Sequence, residues 1–235
     1  MKKLLLTSIA IISILIPYKL HALDISVGAS TWYAWYKPSS GEKVAPAFLY
    51  GPVMSVKINN DFNVTFVYYY GKYEYDYGRT TKRHDSDLAL NYRLNDYLKV
   101  FAGVKYRRIE ADSNKGSNPT VPIHNLKAES IGPGLGLNAV YPLFANIYVI
   151  GTGAGLFAVR KAEYELGYGV NGIKDDRYYH SYGYNVTMAI AYYIQPVSTV
   201  INLGARYQCF MDRKDTGIQD KFYGITLTAT YSFEI

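Results

Sequence analysis

The chain has 235 residues, with 25 Lys and Arg against 19 Asp and Glu, a formal net charge of +6, and one cysteine. The lone Cys209 excludes an internal disulfide, no Cys/His cluster of zinc type occurs, and the modest basic excess excludes the strongly positive surface that nucleic acid demands. Mean hydropathy is only −0.09, and beyond the first residues no apolar run approaches the roughly 20 residues of a membrane-spanning helix.

The first residues have the three parts of a secretory leader. Lys2 and Lys3 are positive, Leu4 to Ile16 are an apolar core, and Leu20-His21-Ala22 places a small residue at a cleavage point. Residues 1–22 are therefore expected to be a cleaved signal peptide, with 23–235 a single domain. No Cys sits at the cleavage point, so a lipid anchor is not expected. Losing Lys2, Lys3 and Lys19 with the leader lowers the net charge from +6 to +3.

From there on, apolar and polar residues alternate with period 2, the signature of strands. Ile25, Val27, Ala29, Tyr33 and Trp35 form the first apolar row, and Ser26, Gly28, Ser30 and Ala34 lie opposite. Phe48, Tyr50, Met54, Val56 and Ile58 make the second, Phe62 to Tyr70 the third, Leu88 to Leu94 the fourth and Leu98 to Tyr106 the fifth. The second half supplies rows from Ile131 to Tyr141, Tyr148 to Leu156, Tyr182 to Ile194, Ile201 to Tyr207 and Tyr223 to Ile235. On this phasing Gly132, Gly134 and Gly136, and on the next strand Gly151, Gly153 and Gly155, face the polar side.

The connections alternate in length. Asn59-Asn60-Asp61, Asn95-Asp96, Pro142 to Asn146 and Gln195 to Ser198 are tight turns. Lys37 to Lys43, about Tyr73 to His84, Ile109 to Leu126, Glu163 to Tyr178 and Asp212 to Asp220 are longer and charged. Short turns at one end and long loops at the other predict an all-β, closed, antiparallel, up-and-down transmembrane barrel of about ten strands, with eight or twelve as alternatives. The 26 tyrosines fit the aromatic girdles that such barrels carry at both membrane interfaces. A soluble sandwich would instead give the second row to water, yet that row is rich in Gly, Ala, Ser and Thr, which suit a crowded interior.

The C-terminal Tyr231-Ser232-Phe233-Glu234-Ile235 resembles the closing strand of Gram-negative outer-membrane β-barrel proteins, although Ile stands where that pattern ends in Phe. Leu23-Asp24-Ile25-Ser26-Val27-Gly28 is similar to their first strand. The resemblance implies residence in the outer membrane, contact with its lipid and lipopolysaccharide, and handling by periplasmic chaperones and the barrel-assembly machinery. Tyr231, Phe233 and Ile235 would be the assembly signal. It names no particular family within the porin-like superfamily and leaves the oligomeric state open.

Three functions are compatible with these residues. In the first, Asp87, Arg93, Lys99, Lys105, Arg107, Arg206 and Glu234 line the lumen of a narrow porin-like channel with weak anion preference, or brace a closed structural barrel. In the second, Lys72, Arg79, Lys82 and Arg83 form a basic loop patch, flanked by Tyr68 to Tyr70, Tyr73, Tyr75 and Tyr77, that binds lipopolysaccharide phosphates or anionic glycans, as an adhesin would. In the third, Asp85-Ser86-Asp87 faces Asp175-Asp176 and His180, an arrangement similar in outline to the omptin proteases, although their Asp and His stand two apart and Asp176 and His180 four. No cofactor or metal site is expected. The Gly-x-Gly-x-Gly runs at 132 and 151 lie within strands with no helix after them, so they do not cradle a phosphate.

Overall fold

The computed structural model describes residues 24–39, 41–75, 80–112, 123–166, 173–212 and 219–235, of which 112, 123–126, 164–166 and 173–177 are described by backbone alone. The leader and its cleavage point lie outside the described residues. Ten strands follow in order: β1 (Asp24–Lys37), β2 (Ala47–Lys57), β3 (Phe62–Glu74), β4 (Thr80–Arg93), β5 (Leu98–Asp112), β6 (Ile123–Phe144), β7 (Ile147–Leu166), β8 (Ile173–Ile194), β9 (Thr199–Asp212) and β10 (Gln219–Glu234). Each pairs antiparallel with its neighbours in the chain. β1 also pairs with β10, from Asp24 opposite Glu234 to Lys37 opposite Lys221, so the sheet closes with the up-and-down topology expected. Closure leaves no edge strand in the part of the wall that all ten strands share; above it, residues 173–180 of β8 pair with β7, and the pairing of β8 with β9 begins at Ser181.

The tight turns work through their asparagines. Asn59 Oδ1 accepts from the N–H groups of Asp61 and Phe62 at 2.9 and 2.8 Å, and Asn95 Oδ1 from those of Tyr97 and Leu98, both at 2.9 Å. These side chains imitate a backbone turn and reverse the chain in few residues. Between β8 and β9 a single 3-10 turn, Gln195–Val197, does the same, with Ser198 in the left-handed region at φ 44°.

Two features depart from the sequence expectation. First, much of the loop expected at 73–84, 109–126 and 163–178 is strand. β6 and β8 each run 22 residues and β7 20, whereas β2 has 11, so the wall is tall on one side and low on the other. The charges that suggested loop form a cross-strand ladder on the outer face. Arg108 pairs with Glu110 and, at 3.7 Å, with Glu129. Lys127 lies 3.1 Å from Glu129 and 4.0 Å from Glu163, and Lys161 lies 2.6 Å from Glu163. Of these, Arg108–Glu129 and Lys127–Glu163 cross between paired strands, where opposite charges contribute a few tenths of a kcal/mol up to about 1 kcal/mol each, and the other three join residues two apart on one strand.

Second, Gly151, Gly153 and Gly155 face outward, contrary to the expected phase. Register pairs Gly134 with Leu156, Gly136 with Ala154 and Asn138 with Thr152, and these line the interior. A slip of one residue exchanges the faces of a strand, and a row of Ile150, Thr152, Ala154 and Leu156 reads as plausibly outward as inward. A methyl group added at any of those three glycines meets nothing within 4 Å.

The outer wall is apolar. Leu135 and Met188 stand 69 and 63% exposed, and Leu88, Leu90, Leu137, Ile190, Leu203, Ile225 and Leu227 share that surface. Aromatic rings bracket the belt. Phe62 with Tyr92, Tyr97 with Tyr141 and Tyr231 with Phe233 lie at the turn end; Tyr33 with Phe48, Trp35 with Tyr223 and Tyr50 with Tyr70 lie at the loop end. Apolar outside and polar inside inverts a water-soluble protein, and two girdles flanking an apolar band are how a barrel wall meets lipid and its interfaces.

Candidate functional site

The polar row of each strand converges on the lumen, and its contents change along the axis. In the loop-end half the lumen is filled. Trp32, Leu49, Tyr69, Tyr73, Phe210 and Phe222 are buried there as a cluster, with Ala34 and Ala47 beside them. Trp32 meets Tyr69 and Phe222 edge-on at 6.3 and 6.5 Å, and Tyr36 stacks on Phe222 at 4.4 Å. Edge-on and stacked pairs of this kind add to the plain burial of large rings.

Arg83 is wedged into this cluster. Its side chain is 1% exposed, with the guanidinium 3.8 Å from the centre of the Phe222 ring and 5.3 Å from that of Trp32. Nε donates to Asp85 Oδ1 at 3.1 Å and Nη2 to Gln208 Oε1 at 2.6 Å, while Nη2 also reaches Asp85 Oδ2. Arg83 and Asp85 are two apart on one strand, so both project to the same side, and the planar fork can grip the carboxylate at two points. Arg83 was expected in an exposed basic patch; register places it inside instead. Of that patch, Lys72 and Lys82 lie on the outer face, directly opposite each other on β3 and β4, and Arg79 lies outside the described residues.

Below Arg83 the charges interlock. Lys105 Nζ donates to Asp87 Oδ1 at 2.6 Å and lies 3.9 Å from Asp85. Arg206 donates from Nε to Asn185 Oδ1 at 2.9 Å, lies 3.6 Å from Asp87, and stands 4.7 Å from the Trp32 ring centre. Arg107, 3% exposed, covers the Phe210 ring at 3.7 Å. On the far wall Arg160 faces Asp212 at 3.6 Å and Asp220 at 3.9 Å, and Tyr36 donates to Asp220 at 2.9 Å. Among the described residues this filled region sets five cations (Arg83, Lys105, Arg107, Arg160, Arg206) against four carboxylates (Asp85, Asp87, Asp212, Asp220).

Toward the turn end the side chains shorten and a cavity of about 340 Å³ opens. Asn91, Asn138, Thr65, Thr152, Thr187 and Asn185 line it, with Lys105, Asp87 and Arg206 at its roof. Asn138 donates to Thr152 at 2.9 Å and Asn91 to Thr65 at 3.2 Å. The tip of the Phe101 ring lies against Gly136, where an added methyl would sit 2.3 Å from Cζ, so that glycine is what lets the ring approach the wall. Beyond lies a mouth of about 490 Å³ that includes Lys57, Asp24, Arg93, Asp96 and Lys99. Arg93 is held there by Asp96, and Glu234 is exposed at the same end.

The third set of residues is not brought together. Asp85 and Asp87 point into the lumen, whereas His180 points outward and stacks on Phe157 at 5.8 Å. The side chains of Asp175 and Asp176 lie outside the described residues. Trp32, Phe210 and Phe222, each an aromatic residue in the polar phase of a strand, were not singled out in the sequence, and Tyr69 and Tyr73, expected beside the basic loop patch, lie in the buried cluster. Sequence reasoning also passed over Arg160, Asp212 and Asp220, which lie beside or within segments read as loop.

No protein-family model matches the chain, and no curated protein does. Among solved structures it is similar to the outer membrane protease OmpT of Escherichia coli, with a TM-score of 0.57 and 12% identity over 92% of this chain and 99% of that one. It is also similar to the β domain of the Bordetella autotransporter BrkA, with a TM-score of 0.54 and 8% identity over 91 and 99%. At such identities the likeness is one of fold, and the fold is that of outer-membrane β-barrels.

Proposed function

We propose that the protein is an integral outer-membrane barrel, exported by a signal peptide cleaved after Ala22, that serves as a structural surface barrel with its lumen shut by its own side chains. The observation that carries this reading is the filled cross-section at Trp32, Phe222 and Arg83, where buried rings and a doubly bonded guanidinium occupy the place of a water path. Buried charges that pair with one another brace a wall, because breaking such a pair leaves an uncompensated charge in a region poor in water. Lipid and lipopolysaccharide surround the apolar belt in this reading, and Tyr231, Phe233 and Ile235, on the closing strand, present the assembly signal.

A second reading rests on the cavity below the plug. Lys105 and Arg206 at its roof, and Arg93 and Lys99 at its mouth, would favour anions if the plug moved aside, which makes a narrow, gated, anion-preferring channel the alternative. Planar-bilayer recording separates the two. A closed structural barrel, shown by digestion patterns to be inserted, gives no steady conductance, and Trp32→Ala with Phe222→Ala gives it one. Steady anion-selective conductance from the unaltered protein would overturn the closed reading in favour of the channel.

A further inference from the structure

The loop-end half of the lumen contains a group that its own protein neighbours do not satisfy. Arg107 is buried, none of the described residues forms an ion pair with it, and its Nη1 has no hydrogen-bond partner. Packing against Phe210 at 3.7 Å disperses part of the charge over the ring face, but a ring carries no counter-charge. Arg160 is in a related position. Both of its carboxylate contacts, at 3.6 and 3.9 Å, go to the same Nη1 and are too long for hydrogen bonds, and its Nε has no partner.

These two arginines lie in one row. Register sets Arg107 of β5 opposite Ser130 of β6, and Ser130 opposite Arg160 of β7, with all three on the inner face. The wall around them is made of small buried side chains, Ala128, Ala158 and Ala162, with Gly132 below, and among the described residues none accepts a hydrogen bond from Arg107 Nη1 or Arg160 Nε. A buried water can accept a hydrogen bond from one of them. It cannot balance the one cation that the described side chains of this region hold in excess over their carboxylates. An anion does both, and the two guanidiniums present the donors that oxyanions take.

We infer that Arg107 and Arg160, on either side of Ser130, form a binding site for a small oxyanion such as inorganic phosphate or sulfate. The site is reached from the loop end, where the Arg160 side chain retains 19% exposure while Arg107 behind it is closed off. The site stands apart from the cavity below the plug and does not depend on whether the barrel conducts.

The test uses the barrel extracted from membranes in a zwitterionic detergent, with chloride holding ionic strength constant. Equilibrium dialysis against radiolabelled phosphate should reveal one saturable site, displaced by sulfate and not by further chloride. Arg107→Met should weaken it by at least about tenfold, and should raise the unfolding temperature in phosphate-free buffer, since an apolar side chain in place of an unpaired buried charge is stabilising. Arg108→Met, one residue along and on the outer face, should leave binding unchanged. Should Arg107→Met fail to fold, Arg160→Gln should show the same loss of binding. Absence of saturable phosphate binding in the unaltered protein would overturn the site. So would unchanged binding in Arg107→Met or Arg160→Gln, or an Arg107→Met unfolding temperature lowered equally with and without phosphate, which marks an arginine held by packing alone.

Discussion

The loop-end half of the lumen is aromatic and charged, with Arg83 bonded to Asp85 and Gln208 among Trp32, Phe210 and Phe222. The turn-end half has a cavity of about 340 Å³ lined by short amides and hydroxyls together with Val53, Val67, Phe101 and Leu156. Both halves use the same strands and the same inward phase. The difference lies in side-chain volume. Ten strands enclose a space that large residues close and small ones leave open, so the same wall can be a plug at one level and a chamber at the next. Arg83, Asp85, Asp87, Lys105 and Arg206 are held there through charged and polar partners.

The comparison can be broken most severely at Arg83. Arg83→Ala leaves Asp85 buried without its two-point partner and should cost about 3–5 kcal/mol, read as a shift in the urea midpoint of unfolding from lipid vesicles. Replacing both, as Arg83→Met with Asp85→Leu, should recover most of that loss; a double variant as unstable as the single one would sink the pairing account. Trp32→Ala should cost about 3–5 kcal/mol by cavity formation and, with Phe222→Ala, join the upper lumen to the lower chamber. In that opened background Lys105→Glu with Arg206→Glu should turn ion preference toward cations, measured as reversal potential in a salt gradient. An unchanged reversal potential would remove both residues from the conduction path.

A smaller effect tests which way β7 faces. Gly153→Arg puts a charge on the lipid side and should destabilise by about 2–4 kcal/mol if it lies near the bilayer midplane, whereas Ala154→Arg should fill the chamber instead. If Gly153→Arg were the better tolerated in vesicles of the two, the outward assignment would be wrong. The smallest effect belongs to the ladder on the tall wall. Lys127→Ala should cost under about 1 kcal/mol and less in high salt, since the pairs are half exposed.

Much of the barrel was legible from alternation. The rows from Phe48 to Val56, Tyr182 to Ile194 and Tyr223 to Phe233 face outward because an apolar row must lie against lipid and the opposite row cannot. β7 escaped because Thr152, Ala154 and Gly153 are all small, and no side chain declares its face. The upper parts of β5 to β8 escaped because charge density is read as solvent exposure, while the Arg108, Glu129 and Lys127 pairing depends on which residue of the next strand stands opposite.

By itself the sequence determined a closed antiparallel barrel with tight turns at one end, because period-2 patterning and turn residues act within a few positions of one another. It also placed Asp87, Lys105, Arg107 and Arg206 on the inner row. Only the tertiary structure decided that Arg83 belongs to the interior, that Trp32 and Phe222 pack around it in the lumen, and that Arg107 and Arg160 flank Ser130. The first two outcomes depend on residues more than 100 positions apart, such as Arg83 and Gln208, meeting across a lumen, and the third on the register of three successive strands. Strand register and barrel circumference set such meetings, and neither is written in any one segment.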